Sequence, residues 1–353
     1  MGNGLTAAGA TGEETMMNML RTCGAASLVP VILLLTALTA GAQPVNIRVS
    51  WVAVPNNLPP FMFKKPGIPK HYGKSYTMEA VQYRGTPQSV TALATRDLDI
   101  ALLSYSSFPL AIQNANLQDL RIIADEFQDG AEGYYSAQFM VLKDGPIRTI
   151  ADVKGKTVAV NIKNGATHGA ARSLLGQRGL QERDYSVIEV AFPNMRAVLA
   201  EKKVDVVSVG TPQFAFDPDM QKIARTLFTQ RDALGKTAVV IWAARTEFLE
   251  KNRAAMVDFM EDMLRDRRFL FDAANHGEAV KIVSEFTKIP PDKLDSWLFT
   301  RNDFYRDPDA RPDLITLQAN IDQLHKEGAL KQPLDVRKYS DLSYLEEAIK
   351  RMK

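Results

Sequence analysis

Four short loops combine amide, hydroxyl and small side chains, which are groups that bind small polar molecules. Each loop follows an apolar run typical of a β-strand, and ligands of open parallel sheets lie outside the carboxyl ends of the strands. We therefore expect these loops to line one ligand site. The candidate binding residues are Asn56, Asn57, Ser104, Tyr105, Ser106, Gly165, Ala166, Thr167, His168, Thr211, Gln213 and Phe214.

The loop that contains Thr167 suits a carboxylate, sulfonate or phosphate. Thr167 opens a predicted helix, and the free N–H groups of a first helical turn carry partial positive charge. Thr167 capping its own helix is an equally good interpretation and is compatible with binding. His168 can donate to an anion or pack at the surface, and Tyr105 and Phe214 can stack on an aromatic solute or belong to the core. None of the four loops contains Lys or Arg, so a neutral solute is an open alternative.

The sequence carries no pattern typical of an enzyme, and we predict no catalytic residue, metal or cofactor. Its four histidines are scattered without metal-ligand spacing, and it contains neither a G-x-S-x-G motif nor a P-loop. The single cysteine, Cys23, lies within the first 42 residues. We therefore expect neither a thiol nucleophile nor a thiolate metal site in the residues that follow.

An internal echo indicates how these loops are positioned. Residues 92–110 resemble residues 198–216 in the order of an amphipathic helix, a charged turn, an apolar strand and a small-residue loop. Helix-turn-strand units look alike in many α/β proteins, but order, spacing and loop chemistry agree together here, which favours two similar lobes. The identities, 106 positions apart, are Leu93 with Leu199, Ala94 with Ala200, Asp99 with Asp205, and Phe108 with Phe214.

Strands alternate with helices through both copies, which predicts an α/β fold of two lobes, each a mostly parallel sheet flanked by helices. Beyond residue 243 the pattern is mainly helical, and we expect this part to pack on the first lobe. Lobe 1 is predicted to comprise residues 43–138 and 239–353, and lobe 2 residues 139–238. Two crossings, near residues 136–141 and 235–240, would form a two-strand hinge.

The first 42 residues have the pattern of an export signal peptide. Arg21 supplies a positive charge, residues 24–40 are apolar, and Ala40-Gly41-Ala42 ends the run as a small-x-small cleavage motif. The apolar run lacks the length and flanks of a spanning helix. We expect cleavage near Ala42 and release into the periplasm.

Composition limits the partners. The 353 residues are 46% apolar and 24% charged, which is ordinary for globular domains. The net charge of +2 includes no basic excess that would favour nucleic acid, so we expect no nucleic-acid partner.

Several segments resemble one family in order along the chain. Residues 151–160 (ADVKGKTVAV) resemble the DLKGKKVAV opening of the second lobe in type 2 periplasmic solute-binding proteins. Residues 165–168 stand where the sulfonate, nitrate, taurine and thiamine-pyrimidine group has a small-residue loop at a helix start. Residues 334–345 resemble the terminal pattern of that group. Asp99 and Asp205 fit the G-x-x-D-h-a lobe ends, except that Arg96 and Lys202 occupy the glycine-like positions.

This resemblance implies a monomeric binding component of an ABC importer. It would capture a small solute, expected to be an organic anion such as a sulfonate or carboxylate, with or without an aromatic group, by hinge closure. Its partners would be an inner-membrane permease and the ATPase of that permease. A sensory protein that presents its ligand to a receptor would use the same cleft and stays an alternative. A thiamine-pyrimidine biosynthesis enzyme of the same fold would be expected to carry a cysteine-rich motif, which this sequence lacks.

Overall fold

Two five-stranded sheets organise residues 43–353, which are the residues that the computed structural model describes. The predicted signal peptide, residues 1–42, lies outside them. The strands are β1 (Val45–Trp51), β2 (Tyr76–Gln82), β3 (Ile100–Ser104), β4 (Leu120–Asp129), β5 (Gln138–Leu142), β6 (Thr157–Val160), β7 (Ser186–Glu189), β8 (Val206–Val209), β9 (Ala224–Thr229) and β10 (Thr237–Arg245). The helices are α1 (Thr86–Ala94), α2 (Ser107–Asn114), α3 (Ala166–Gln177), α4 (Met195–Ala200), α5 (Pro212–Ala215), α6 (Pro218–Ile223), α7 (Gln230–Leu234), α8 (Thr246–Lys251), α9 (Arg253–Phe271), α10 (His276–Thr287), α11 (Leu314–Lys326) and α12 (Ser343–Arg351).

The two sheets share one topology. Their strand orders are β2-β1-β3-β10-β4 and β7-β6-β8-β5-β9, so each β-strand of the first sheet has a counterpart at the same place in the second. β10 is antiparallel to both of its neighbours, and so is β5, whereas β1 and β6 pair in parallel with theirs. Four of the five strands in each sheet therefore run in one direction, and the prediction of mostly parallel sheets is confirmed.

The reversed strands are the ones that carry the chain between the sheets. After β4 the chain leaves the first sheet and enters the second as β5, and after α7 it returns as β10. We call the first sheet with its helices lobe 1 and the second sheet with its helices lobe 2. The connecting segments are residues 130–137 and 230–236, and the predicted lobe limits near residues 138 and 238 stay a prediction.

The sequence echo marks equivalent turns in the two lobes. Asp99 accepts the N–H of Arg48 in the middle of β1, and Asp205 accepts the N–H of Thr157 at the start of β6, both at 2.9 Å. Arg96 and Lys202 both have a left-handed backbone, with φ of 62° and 56°. This conformation costs a non-glycine residue roughly 1–2 kcal/mol, so its recurrence at the same place supports two copies of one unit.

The C-terminal helices pack on the first sheet. The methionine-rich stripe of α9 is core, since Met256, Met260 and Met263 are fully buried. α12 packs against α9, and α11 packs against β10. Within residues 43–353, no helix is both long and apolar enough to cross a bilayer.

The β7 strand is shorter than the sequence pattern indicates. We expected a strand over residues 187–192, but β7 ends at Glu189 and residues 192–194 form a 3₁₀ turn. The ladder ends because Glu189 pairs with Val160, the last residue of β6. Pro193 fixes its own φ near the helical value, which favours the 3₁₀ turn that follows.

Candidate ligand site between the lobes

A cavity lies between the two lobes at the carboxyl ends of β1, β3, β6 and β8. Its volume is about 80 Å³, which is room for about six water molecules. Both lobes line it, and most of its wall is apolar. A small molecule bound here would therefore touch both lobes at once.

Six of the twelve predicted residues line this cavity. Those from lobe 1 follow β1 and end β3, and those from lobe 2 belong to the turn that begins α3, which are the positions that the strand-end rule favours. Thr167 is 7% exposed and lines the wall from the first turn of α3. Their binding role stays a prediction. The six are Asn56, Asn57, Ser104, Gly165, Ala166 and Thr167.

Tyr105 and Ser106 contact the opposite lobe instead of the cavity. The Tyr105 hydroxyl donates to the carbonyl of Ala166 at 3.2 Å, and the Ser106 hydroxyl donates to the carbonyl of Asn164 at 3.1 Å. Ser107 donates to the same Asn164 carbonyl at 3.2 Å. These side chains therefore hold the lobes together, which the sequence could not indicate because the pairing joins distant segments.

His168 turns away from the cavity. Its Nδ1 accepts the N–H of Asn164 at 3.0 Å, and its Nε2 lies 3.3 Å from Glu182. Burial lowers the pKa of the imidazole, and the nearby Arg172 lowers it further. The predicted role as a donor to an anion has no support from this placement, because both ring nitrogens face protein groups.

The fourth predicted loop, residues 210–213, reaches the cavity only through Gly210, and its predicted side chains border neighbouring grooves. Thr211 and Phe214 line a groove beside it, together with Trp51 and Phe192. Gln213 faces an outer groove that also includes Trp297. Phe192 belongs to the walls of both the cavity and the first groove, so the two spaces adjoin.

Sequence reasoning missed the side of the cavity formed by β4 and the hinge. Phe127, Asp129, Gln230 and Phe304 all contribute to the wall. Asp129 is fully buried, and desolvation raises the pKa of its carboxyl to about 7. The expected strand ended at residue 125, whereas β4 continues to Asp129, so its end was not among the candidate loops. The Asp-Gly pair at 129–130, a frequent turn signal, is the feature that could have revealed it.

A buried ion pair positions the Asn56 loop. Arg306 donates to the carbonyl of Asn56 at 2.9 Å and is paired with Asp303 at 3.0 Å. Both side chains of the pair are at most 3% exposed. The Asn56 amide nitrogen in turn donates to the carbonyl of Gly210 in lobe 2 at 3.0 Å, which leaves its Oδ1 buried without a partner among the described residues.

The lobes pack closely at Gly85, the N-cap of α1. A Cβ at this position would lie 2.5 Å from Ile162 Cγ2 of lobe 2. At Gly169 in α3 a Cβ would lie 2.6 Å from the Tyr105 hydroxyl. Glycine at both positions therefore permits the observed closure.

Solved structures with this architecture define the class of the protein. The alkanesulfonate-binding protein SsuA from Xanthomonas axonopodis pv. citri, bound to MOPS, is 17% identical with a TM-score of 0.67, covering 85% of this chain and 99% of that chain. The nitrate-binding protein NrtA from Synechocystis PCC 6803 is 16% identical with a TM-score of 0.70, covering 88% and 89%. The desulfurization enzyme DSZB is 15% identical with a TM-score of 0.61, covering 88% and 100%. The protein therefore has the two-lobed periplasmic-binding-protein fold.

The chain belongs to the NMT1-like family, whose model matches residues 40–284. No curated protein matches its sequence. The predicted family resemblance is thus confirmed, and the fold accommodates both binding proteins and an enzyme.

Proposed function

We propose that this protein is the solute-binding component of an ABC importer and works in the periplasm. It captures a small solute in the cavity between the lobes, and an inner-membrane permease with its ATPase receives that solute. The observation that carries the proposal is the cavity itself, which lies at the strand ends of both lobes and is closed by hydrogen bonds between them. The structurally similar SsuA and NrtA are named as binding proteins.

Hinge closure supplies the mechanism. A ligand that contacts both lobes stabilises the closed state over the open one, and the closed state is what a permease can recognise. The two segments that cross between the sheets, residues 130–137 and 230–236, are the positions where the backbone would bend.

A binding role fits the cavity better than catalysis. The described lining has no histidine and no cysteine, and no cluster of metal-ligating side chains occurs within residues 43–353. Its hydroxyl side chains are Thr86, Ser104 and Thr167, and Thr86 and Ser104 share a hydrogen bond at 3.1 Å. None of the three is hydrogen-bonded to Asp129, the carboxyl of the lining, whose partners are Ser136 and Ala137.

Thermal-shift screening followed by X-ray scattering tests this proposal. A solute that binds should raise the melting temperature by mass action, and the radius of gyration should fall when that solute saturates the protein. A solute that binds tightly in the cavity without compaction would show that hinge closure is wrong. Loss of uptake of the same labelled solute in a deletion strain would identify transport, whereas unchanged uptake with a lost transcriptional response would identify sensing.

A further inference from the structure

We propose that the cavity selects a solute that carries an amino, amidine or similar N–H group, and that Asp129 binds this group. The inference rests on the proposed solute-binding function and names the chemical class of its solute. It differs from the expectation of an anion held by the start of α3.

The charge of the cavity wall favours an N–H donor over an anion. Asp129 is the ionisable side chain of the cavity lining, and the described lining includes neither Lys nor Arg. Arg231 is the nearby cation that acts on this carboxyl, but its guanidinium donates to the carbonyls of Ala131 and Tyr134 and is not part of the lining. An anion beside Asp129 would therefore meet a buried carboxylate without a cation to offset it, whereas an N–H donor would be attracted.

The hydrogen bonds of Asp129 leave part of its carboxyl open to a ligand. One carboxyl oxygen accepts the N–H of Ala137 at 2.7 Å, and the other accepts the hydroxyl of Ser136. A carboxylate has about four lone-pair sites, so about half of its accepting capacity is open to a ligand. Ser136 and Ala137 lie on the segment that leads into β5, so a donor bound to Asp129 sits directly at the hinge.

The side-chain oxygen of Asn56 is a second unused acceptor in the cavity wall. Asn56 is 5% exposed and lines the cavity, and its Oδ1 has no partner among the described residues. Because its Nδ2 donates to Gly210, the orientation of the amide is fixed and the oxygen is left for a ligand. A buried acceptor without a partner costs free energy, and a solute with N–H groups removes that cost.

The wall also limits the rest of the solute. Phe127 and Phe304 stack at a centroid distance of 4.6 Å, and Val239 and Val240 continue the apolar surface. The start of α3, at Thr167, can tolerate an acid group elsewhere on the molecule. The volume favours a compact solute of about six non-hydrogen atoms in the closed state.

The test uses probes of matched shape that differ in the group placed against Asp129. Isothermal titration compares 3-aminopropanoate with butanoate, and acetamidine with acetate, at pH 8. We expect the N–H member of at least one pair to bind tenfold or more tightly than its partner. In Asp129→Asn that preference should fall below threefold. The asparagine can keep both hinge bonds, since its oxygen accepts from Ala137 and its amide donates to the Ser136 hydroxyl.

Asp266→Asn is the matched control. Asp266 is another buried carboxyl whose pKa desolvation raises to about 7, but it lies in α9 outside the cavity. This variant should keep the wild-type preference. Melting curves of both variants establish that they are folded.

Two outcomes would overturn the inference. If butanoate binds as well as 3-aminopropanoate and acetate as well as acetamidine, or if Asp129→Asn retains the preference, Asp129 does not select the solute, while compaction by the anion would leave the solute-binding function standing. If none of the four probes binds, the inference fails, whereas the proposed function fails only if no solute of the thermal-shift screen binds.

Discussion

Replacing Gly85 with alanine tests whether the lobes close as observed. The added Cβ would lie 2.5 Å from Cγ2 and 3.2 Å from Cβ of Ile162, whereas carbon atoms pack best at about 3.5–4.0 Å. Ile162 cannot easily turn away, because a β-branched side chain is stiff at χ1. The lobes must therefore separate locally by about 1 Å, or the contact must be strained.

The expected loss follows from overpacking, which typically costs about 1–3 kcal/mol. The strain exists only in the closed state, since Gly85 has an extended backbone with φ of −169° that alanine adopts freely. The free energy of the closed state relative to the open state rises by that amount, so affinity for a solute that needs closure falls by about 5- to 150-fold.

Titration and scattering measure this effect with any solute that binds the wild type. Alanine is also a poorer N-cap than glycine, so Gly85→Ser provides a second variant that keeps the clash and restores the cap. Gly176→Ala is the matched control, because a Cβ there meets nothing within 4 Å. Wild-type affinity and compaction in both Gly85 variants would show that the lobes do not meet at this contact when the solute is bound.

Four further results are expected. Tyr105→Phe removes one interlobe hydrogen bond and should weaken solute affinity by about 2- to 12-fold, from about 0.5–1.5 kcal/mol; equal affinity in titration would contradict a closing role. Thr167→Trp should fill the cavity and abolish the thermal shift, and a retained shift would place the solute elsewhere. Arg306→Met leaves Asp303 buried without its partner and should lower the free energy of unfolding by about 3–5 kcal/mol in urea titrations. A decrease in the free energy of unfolding of less than about 1 kcal/mol would contradict this expectation. Asp129 has a pKa raised from 3.8 to about 7, so ionisation of its carboxyl should destabilise the fold by up to about 4 kcal/mol as pH rises from 4 to 7. The free energy of unfolding of Asp129→Asn should therefore exceed that of the wild type by an amount that grows across this range. A difference in free energy of unfolding that stays constant with pH would contradict the prediction.

The sequence was sufficient for the fold because the fold rests on local and repeated patterns. Apolar periodicity indicated the alternation of strands and helices in both lobes, and the echo of residues 92–110 in residues 198–216 indicated two equivalent units. Errors arose at strand ends. β7 ends where its partner β6 ends, and the polar end of β4 concealed a strand that continues to Asp129.

The site was predicted only where it depends on strand ends. Asn56 and Thr167 follow from topology, since they stand just after a strand or at a helix start. His168 is adjacent in sequence but is turned by its bond to Asn164. Tyr105 was assigned correctly to the cleft and wrongly to the lining, because its partner lies 61 positions away in the other lobe. Side-chain direction across two lobes is a tertiary property that no local pattern contains.

Two of the contacts that close the cleft lie outside the surface that would bind the solute. Tyr105 and Ser106 of lobe 1 donate to backbone carbonyls of lobe 2 and are not part of the cavity lining. Asn56 of lobe 1 and Asn161 of lobe 2 also donate across the cleft, but their side chains line the cavity. A carbonyl acceptor is present whatever side chain stands at its position. Wall residues other than these two asparagines, such as Asp129, can therefore change without removing any of these four bonds, so one closing geometry can serve walls of different chemistry.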